Sequence, residues 1–130
     1  MPDESLTREQ IERFIVDKID TVPQLEALLL LWRGRPRPRS IFELARELYL
    51  SPDRAAGVLE GLLHMGLIVP EGAQSYALNL VPKGREKMLT ALEELYRHEL
   101  LHVSHLIHDK APRAVRDFAR AFRFKKEEDK

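Results

Sequence analysis

Residues 40–66 read SIFELARELYLSPDRAAGVLEGLLHMG, and their polar and apolar spacing predicts two short helices joined by a tight turn. Ser40 stands before an apolar-periodic run and Glu43 follows three residues later, so hydroxyl and carboxylate can each satisfy an orphan backbone N–H at a helix start. Ser51 repeats the signal with Pro52 at the first helical position, where a missing N–H is harmless and the fixed φ is already helical. Only Tyr49-Leu50 separates the two runs. Gly66 supplies a left-handed stop before the strand-like Leu67-Ile68-Val69. The order read from this stretch is helix, turn, helix, strand.

Working outward, Thr7 and Gln10 form a capping box ahead of Ile11, Phe14, Ile15 and Ile19, a spacing that places all four on one helical face. Thr21 and Gln24 repeat the box, with Pro23 near the start. The dense apolar set Leu25, Leu28, Leu29, Leu31 and Trp32 marks a second, central helix. On the other side, Pro70-Glu71-Gly72-Ala73-Gln74 separates Leu67-Ile68-Val69 from Ser75-Tyr76-Ala77-Leu78-Asn79-Leu80. There the alternation of Tyr76, Leu78 and Leu80 predicts the return strand of a β-hairpin. Pro82 is expected to open one long helix through about His108, and Pro112 to break it from a last helix near Arg113 to Phe124.

Composition bounds the function. At 130 residues, 44% apolar and 32% charged, the chain can bury a core as one globular unit. Cysteine is absent, which excludes disulfides, thiolate metal sites and thiol catalysis. The longest apolar run, Leu28 to Trp32, is far short of the ~20 residues of a membrane span, and PDESLTREQ has no signal-peptide character. A cytoplasmic protein with no membrane span is expected. No nucleophile elbow surrounds Ser40, Ser51, Ser75 or Ser104 and no glycine-rich phosphate loop occurs, so no enzyme is expected.

Net charge is zero, but its distribution is uneven. Met1 to Trp32 holds seven acidic residues against three basic ones, a balance of −4. Arg33-Gly34-Arg35-Pro36-Arg37-Pro38-Arg39 alternates four arginines with Gly and Pro, predicting an extended basic loop. Lys110 to Lys126 carries seven basic residues and one acid, a balance of +6.

The succession resembles the winged helix-turn-helix of MarR and PadR type regulators. The resemblance runs through Phe42-Glu43-Leu44-Ala45 in the first motif helix, Ser51 to Leu63 in the second, Gly66-Leu67-Ile68 entering the wing and Tyr76-Ala77-Leu78 leaving it. Leu80-Val81-Pro82-Lys83-Gly84 then looks like the strand exit of those families. The resemblance implies a mainly α fold with a small β-hairpin wing, extended by helices at both termini. The expected division is residues 1–20 as an N-terminal helix, 21–90 as the winged helix-turn-helix domain and 82–130 as C-terminal helices forming a dimerisation region. It also implies a homodimeric transcription regulator whose second motif helix enters the major groove of double-stranded DNA.

The residues of the motif add their own evidence. Ala55, Val58, Leu59, Leu62 and Leu63 are expected in the core, leaving Asp53, Arg54, Ala56, Gly57, Glu60, Gly61 and His64 toward solvent or groove. Arg54 is the one strong base-edge reader, suited to guanine through two parallel hydrogen bonds. Ser40 to Gly66 holds two basic and four acidic residues, a balance of −2 that opposes phosphate, and the wing offers Glu71 and no cation. Phosphate contacts therefore fall to the flanking segments. The candidate nucleic-acid-binding set is Arg35, Arg37, Arg39, Ser40, Ser51, Arg54, Lys83 and Arg85; a solvated linker is the plainer reading of the arginine loop. An alternative function is a protein-protein interaction module, since Ala56, Gly57 and Gly61 permit close approach of another backbone.

Two further patterns lie beyond the motif. His98, His102, His105 and Asp109 fall at i, i+4, i+7 and i+11, which on one helix makes a stripe able to chelate a divalent metal such as zinc. A polar stripe beside the apolar arc of Leu92, Leu95, Tyr96, Leu100, Val103, Leu106 and Ile107 is the alternative, and no cofactor is the default expectation. Val115, Phe118, Ala119 and Phe122 make an apolar stripe opposite Arg113, Arg116, Arg120 and Arg123, which calls for a packing surface on this chain or a second subunit.

Overall fold

The computed structural model describes residues 6–110. The elements are α1 (Arg8–Lys18), α2 (Val22–Arg33), β1 (Arg39–Ser40), α3 (Ile41–Leu48), α4 (Pro52–His64), β2 (Ile68–Pro70), β3 (Ser75–Leu78), α5 (Arg85–His98) and α6 (Leu100–His108). The three strands form an antiparallel sheet in the order β1-β3-β2. Ile68 pairs with Leu78, Val69 with Ala77 and Pro70 with Tyr76, while Arg39 pairs with Tyr76 and Ser40 with Ser75.

The caps act as their chemistry requires. Thr7 Oγ1 accepts from the Gln10 N–H at 3.1 Å and the Gln10 carboxamide accepts from the Thr7 N–H at 2.8 Å. Ser40 and Glu43 make the same reciprocal pair at the start of α3, and Ser51 Oγ accepts from the Arg54 N–H at 3.2 Å at the start of α4. At its end, the Leu67 N–H reaches the Leu62 carbonyl and the Gly66 N–H the Leu63 carbonyl. Gly66, at φ 72°, provides the left-handed turn this closure needs.

The central helix is α2, as its density of leucines requires. Leu25, Leu28, Leu29, Leu31 and Trp32 are buried there, against Leu44 of α3, Leu59 and Leu62 of α4, Leu67 and Ile68 at the sheet, and Leu89 and Leu92 of α5. Ile11 and Ile15 of α1, Ile19 just beyond it, and Val103 and Ile107 of α6 continue the same core. Each fully buried leucine contributes about 1.5–3 kcal/mol relative to exposure, so α2 fixes where α3 and α4 sit.

Four sequence expectations are corrected. Arg33–Arg39 is not extended throughout: Arg33 ends α2 and residues 34–36 turn before Arg39 enters β1, and with β1 the wing is a three-stranded sheet and not a two-stranded hairpin. The helix expected from Pro82 starts at Arg85, because Pro82-Lys83-Gly84 turns and the Arg85 N–H bonds the Pro82 carbonyl. Nor does it run unbroken to His108, since Glu99 at φ −134°, ψ 53° interrupts it. In a continuous helix Leu100 would share a face with Leu89, Leu92, Tyr96, Val103 and Ile107; the break leaves it 51% exposed and Leu101 71% exposed. The Thr21 box is half made: Thr21 caps the Gln24 N–H, but the Gln24 carboxamide oxygen turns to the Asp20 N–H at 2.8 Å. The last helix expected near Arg113 to Phe124 lies outside the described residues.

Tertiary charge pairs hold the break and tie α1 to α6 and the residues just beyond it. Arg8 donates through both terminal nitrogens to Glu99, at 2.6 and 2.5 Å, and through Nε to Glu12 at 2.9 Å. Glu12 also meets His102 Nε2 at 2.9 Å. Lys110 Nζ donates to the Val16 and Ile19 carbonyls at the end of α1, where a cation suits the helix dipole. The His102 hydrogen bond, with Arg8 adding, holds the Glu12 carboxyl below its ordinary value of 4.5, and Arg8 lowers that of Glu99.

Carboxyls depressed in this way stabilise the fold above their ordinary value, and that contribution is lost as pH falls through the lowered value. Thermal unfolding midpoints should therefore fall on acidification below 4.5, and Glu12→Gln should be less stable near neutrality with a flatter acid limb. A variant whose midpoint follows the wild-type curve from neutral to acid pH would contradict a contribution from this cluster.

Candidate nucleic-acid interface

The exposed face of α4 is set by what its opposite face buries. Ala55, Leu59 and Leu62 are buried and Val58 and Leu63 half-buried, as the spacing predicts, leaving Asp53, Arg54, Ala56, Gly57, Glu60 and His64 exposed. Gly61 does not belong with them. A Cβ at that position would lie 2.2 Å from Gln24 Nε2, so Gly61 is the gap that receives the buried Gln24 carboxamide of α2. It therefore serves internal packing and not the approach of an external backbone.

The arginine loop is engaged with its own chain. Arg33 pairs with Glu93 of α5. Arg35 lies with its guanidinium carbon 3.3 Å from the Trp32 ring centroid and donates to the Trp32 carbonyl. Arg37 donates to Glu43 at 2.7 Å with 68% of its side chain exposed. Arg39, whose side chain is only 11% exposed, pairs with Glu43 and Glu47 on α3. The Ser40 N–H is the largest influence holding the Glu43 carboxyl below the usual carboxylate range, with the charges of Arg37 and Arg39 adding. Two of the four acids counted against phosphate in the motif are thereby neutralised locally.

Arg39 is thus a brace between β1 and α3. Arg39→Ala should cost about 1–2 kcal/mol of stability, since a charged hydrogen bond to Glu47 and an ion pair with Glu43 are lost at a mostly buried site, and urea unfolding would read it. An unchanged midpoint would show the pairs to be energetically idle.

The remaining candidates divide in the same way. Arg85 is half-buried and donates to the Gly66 carbonyl at 3.3 Å and the Asn79 carbonyl at 3.0 Å, joining the end of α4 to the exit of the wing. Burial lowers its pKa from the usual arginine value. Ser40 and Ser51 hold helix caps. Among the described residues of the winged-helix segment 21–90, the cations that are exposed without a carboxylate or carbonyl partner are Arg46 on α3, Arg54 on α4 and Lys83 beyond the wing. Arg46 was missed as a candidate from sequence because the motif was weighed by net charge and Glu43 stands three residues before it; the structure leaves Arg46 free because Glu43 is engaged by Arg37 and Arg39 instead. The wing tip, Glu71 to Gln74, is exposed and carries no cation.

The histidine stripe is divided by the break at Glu99. His98 lies on α5 and meets Glu94 at 2.9 Å, while His102 on α6 meets Glu12, so the four-residue stripe expected on one helix is not formed. His102, His105 and Asp109 share a shallow hollow with Val16, Leu106 and Lys110. Among the described residues no three His, Asp or Glu side chains converge as a metal site. No described helix is long and apolar enough to cross a membrane.

Helices α3 and α4 packed on α2, followed by a small antiparallel sheet, define a winged helix-turn-helix protein with a helical extension at each end. Among solved structures the chain is similar to RV1404 from Mycobacterium tuberculosis, with TM-score 0.50 and 21% identity over 89% of this chain and 78% of that one. It is also similar to the multiple antibiotic-resistance repressor MarR from Listeria monocytogenes 4b F2365, with TM-score 0.47 and 17% identity over 92% of this chain and 86% of that one. The winged helix-turn-helix fold expected over roughly Val22 to Leu89 is the fold observed. No family model and no curated protein matches the sequence.

Proposed function

We propose that this protein is a homodimeric DNA-binding transcription regulator whose helix α4 enters the major groove. The observation that carries the reading is Arg54, exposed and unpaired in the first turn of α4, the part of a recognition helix that reaches base edges. Arg46 and Lys83 supply phosphate contacts on either side. Arg35 and Arg37, exposed in the loop, reach phosphate by exchanging their internal partners. Arg39, Ser40, Ser51 and Arg85 position these elements. Leu100 and Leu101, turned out by the break at Glu99, give the terminal helices apolar surface for the second subunit.

Footprinting on genomic fragments enriched by the purified protein tests this. Two protected half-sites about one helical turn apart are expected of a dimeric helix-turn-helix; no enrichment and no protection would overturn it. A second reading, a protein-docking module, is favoured by Asp53 and Glu60, which stand exposed on the same face of α4 and repel phosphate.

A further inference from the structure

The turn between α3 and α4 holds a side chain that the fold does not use. Tyr49 is 95% exposed, and neither its ring nor its hydroxyl has a partner among the described residues. Its backbone sits at φ 58°, ψ 41°, the left-handed region, which is unfavourable for a bulky residue and free for glycine. The N–H bonds that close α3 here, Tyr49 to the Arg46 carbonyl and Leu50 to the Ala45 carbonyl, come from the backbone and would survive a glycine. A strained, exposed aromatic with no internal partner is the kind of residue that a contact outside the chain would call for.

Its neighbours indicate what that is. Arg46 lies three residues before it and Arg54 five after, both exposed and unpaired, while the nearest acid, Glu47, is engaged by Arg39. In a docked helix-turn-helix the first helix crosses the DNA backbone and the start of the second enters the groove. The turn joining them then lies at the groove's edge, along the phosphate strand. Tyrosine hydroxyls are among the neutral donors that bond phosphate oxygens and fix register.

Resting on the DNA reading above, we propose that Tyr49 is a DNA-backbone contact, its hydroxyl donating to a phosphate oxygen and its ring covering the adjoining sugar, with Arg46 neutralising the neighbouring phosphate. Tyr49→Gly and Tyr49→Phe, compared by thermal unfolding and by fluorescence anisotropy on a wild-type-selected duplex, separate the roles. Tyr49→Gly should raise the unfolding midpoint by roughly 4 °C through relief of backbone strain and weaken binding by about fivefold to tenfold, the loss expected of one hydrogen bond and its packing. Tyr49→Phe should melt as wild type and bind with intermediate affinity. Arg46→Ala should lower the magnitude of the slope of log affinity against log salt by about one per protomer, whereas the uncharged Tyr49 variants leave it unchanged.

Wild-type affinity in Tyr49→Gly, with the wild type itself binding, would overturn the contact, leave the DNA reading standing and assign the turn to a protein partner. A midpoint below wild type would overturn it by showing that the fold needs the ring. Failure of the wild type to bind any duplex would overturn the DNA reading and this contact together.

Discussion

Arg54→Ala should remove about 1–3 kcal/mol of binding to a preferred duplex per base contact, which is the range for one bidentate guanine contact. The loss should fall on preferred fragments and hardly on random ones, because phosphate contacts carry no sequence information. Stability should stay within about 0.5 kcal/mol of wild type, since the guanidinium is exposed, has no partner and leaves the cap intact: Ser51 bonds the Arg54 backbone N–H. Anisotropy on both kinds of fragment and a urea melt separate the effects. Equal weakening on both would recast Arg54 as a phosphate contact, and no weakening would remove α4 as the reader.

The largest loss of stability is expected at Leu28. It is fully buried at the middle of α2, the helix against which α3, α4 and α5 all pack. Leu28→Ala removes the transfer free energy of the missing carbons and leaves a cavity, about 2–5 kcal/mol together. A domain of this size has about 5–15 kcal/mol in total, so the variant should unfold at a much lower urea midpoint with an unchanged slope. A small shift would mean that α2 is less central than its burial indicates. Affinity per folded molecule should change little, as Leu28 contacts the interface only through α3 and α4.

These two outcomes reflect how unevenly the sequence discloses the molecule. The caps at Thr7, Ser40 and Ser51, the stop at Gly66 and the leucines of α2 act through local chemistry, and a local reading finds them. The break at Glu99 carries neither glycine nor proline. It depends on Arg8, distant in sequence, and on α6 folding back onto α1. One trace was present: Leu100 sits where an unbroken apolar face would bury it, yet Leu101 beside it has no place on that face.

The interface was hidden in a different way. Counting charges along Arg33 to Arg39 suggests a phosphate-binding loop, but Glu93, far along the chain, meets Arg33, and the fold of β1 against α3 turns Arg37 and Arg39 onto Glu43 and Glu47. Gly61 looked like open surface for the same reason, since only the packing of α4 on α2 brings Gln24 to it. Charge is informative here after pairing is known. What survives is a short set, Arg46, Arg54 and Lys83, interrupted by Asp53 and Glu60.

Duplex binding by the wild-type protein, followed by fluorescence anisotropy on selected and random genomic fragments across a salt series, decides most directly whether α4 serves DNA. Selective binding retained near physiological salt, with log affinity falling against log salt by about 0.9 for each phosphate neutralised, is the expected result. Binding absent even at low salt, or equal on selected and random fragments, would contradict it and direct the search to a protein that fits the α4 face.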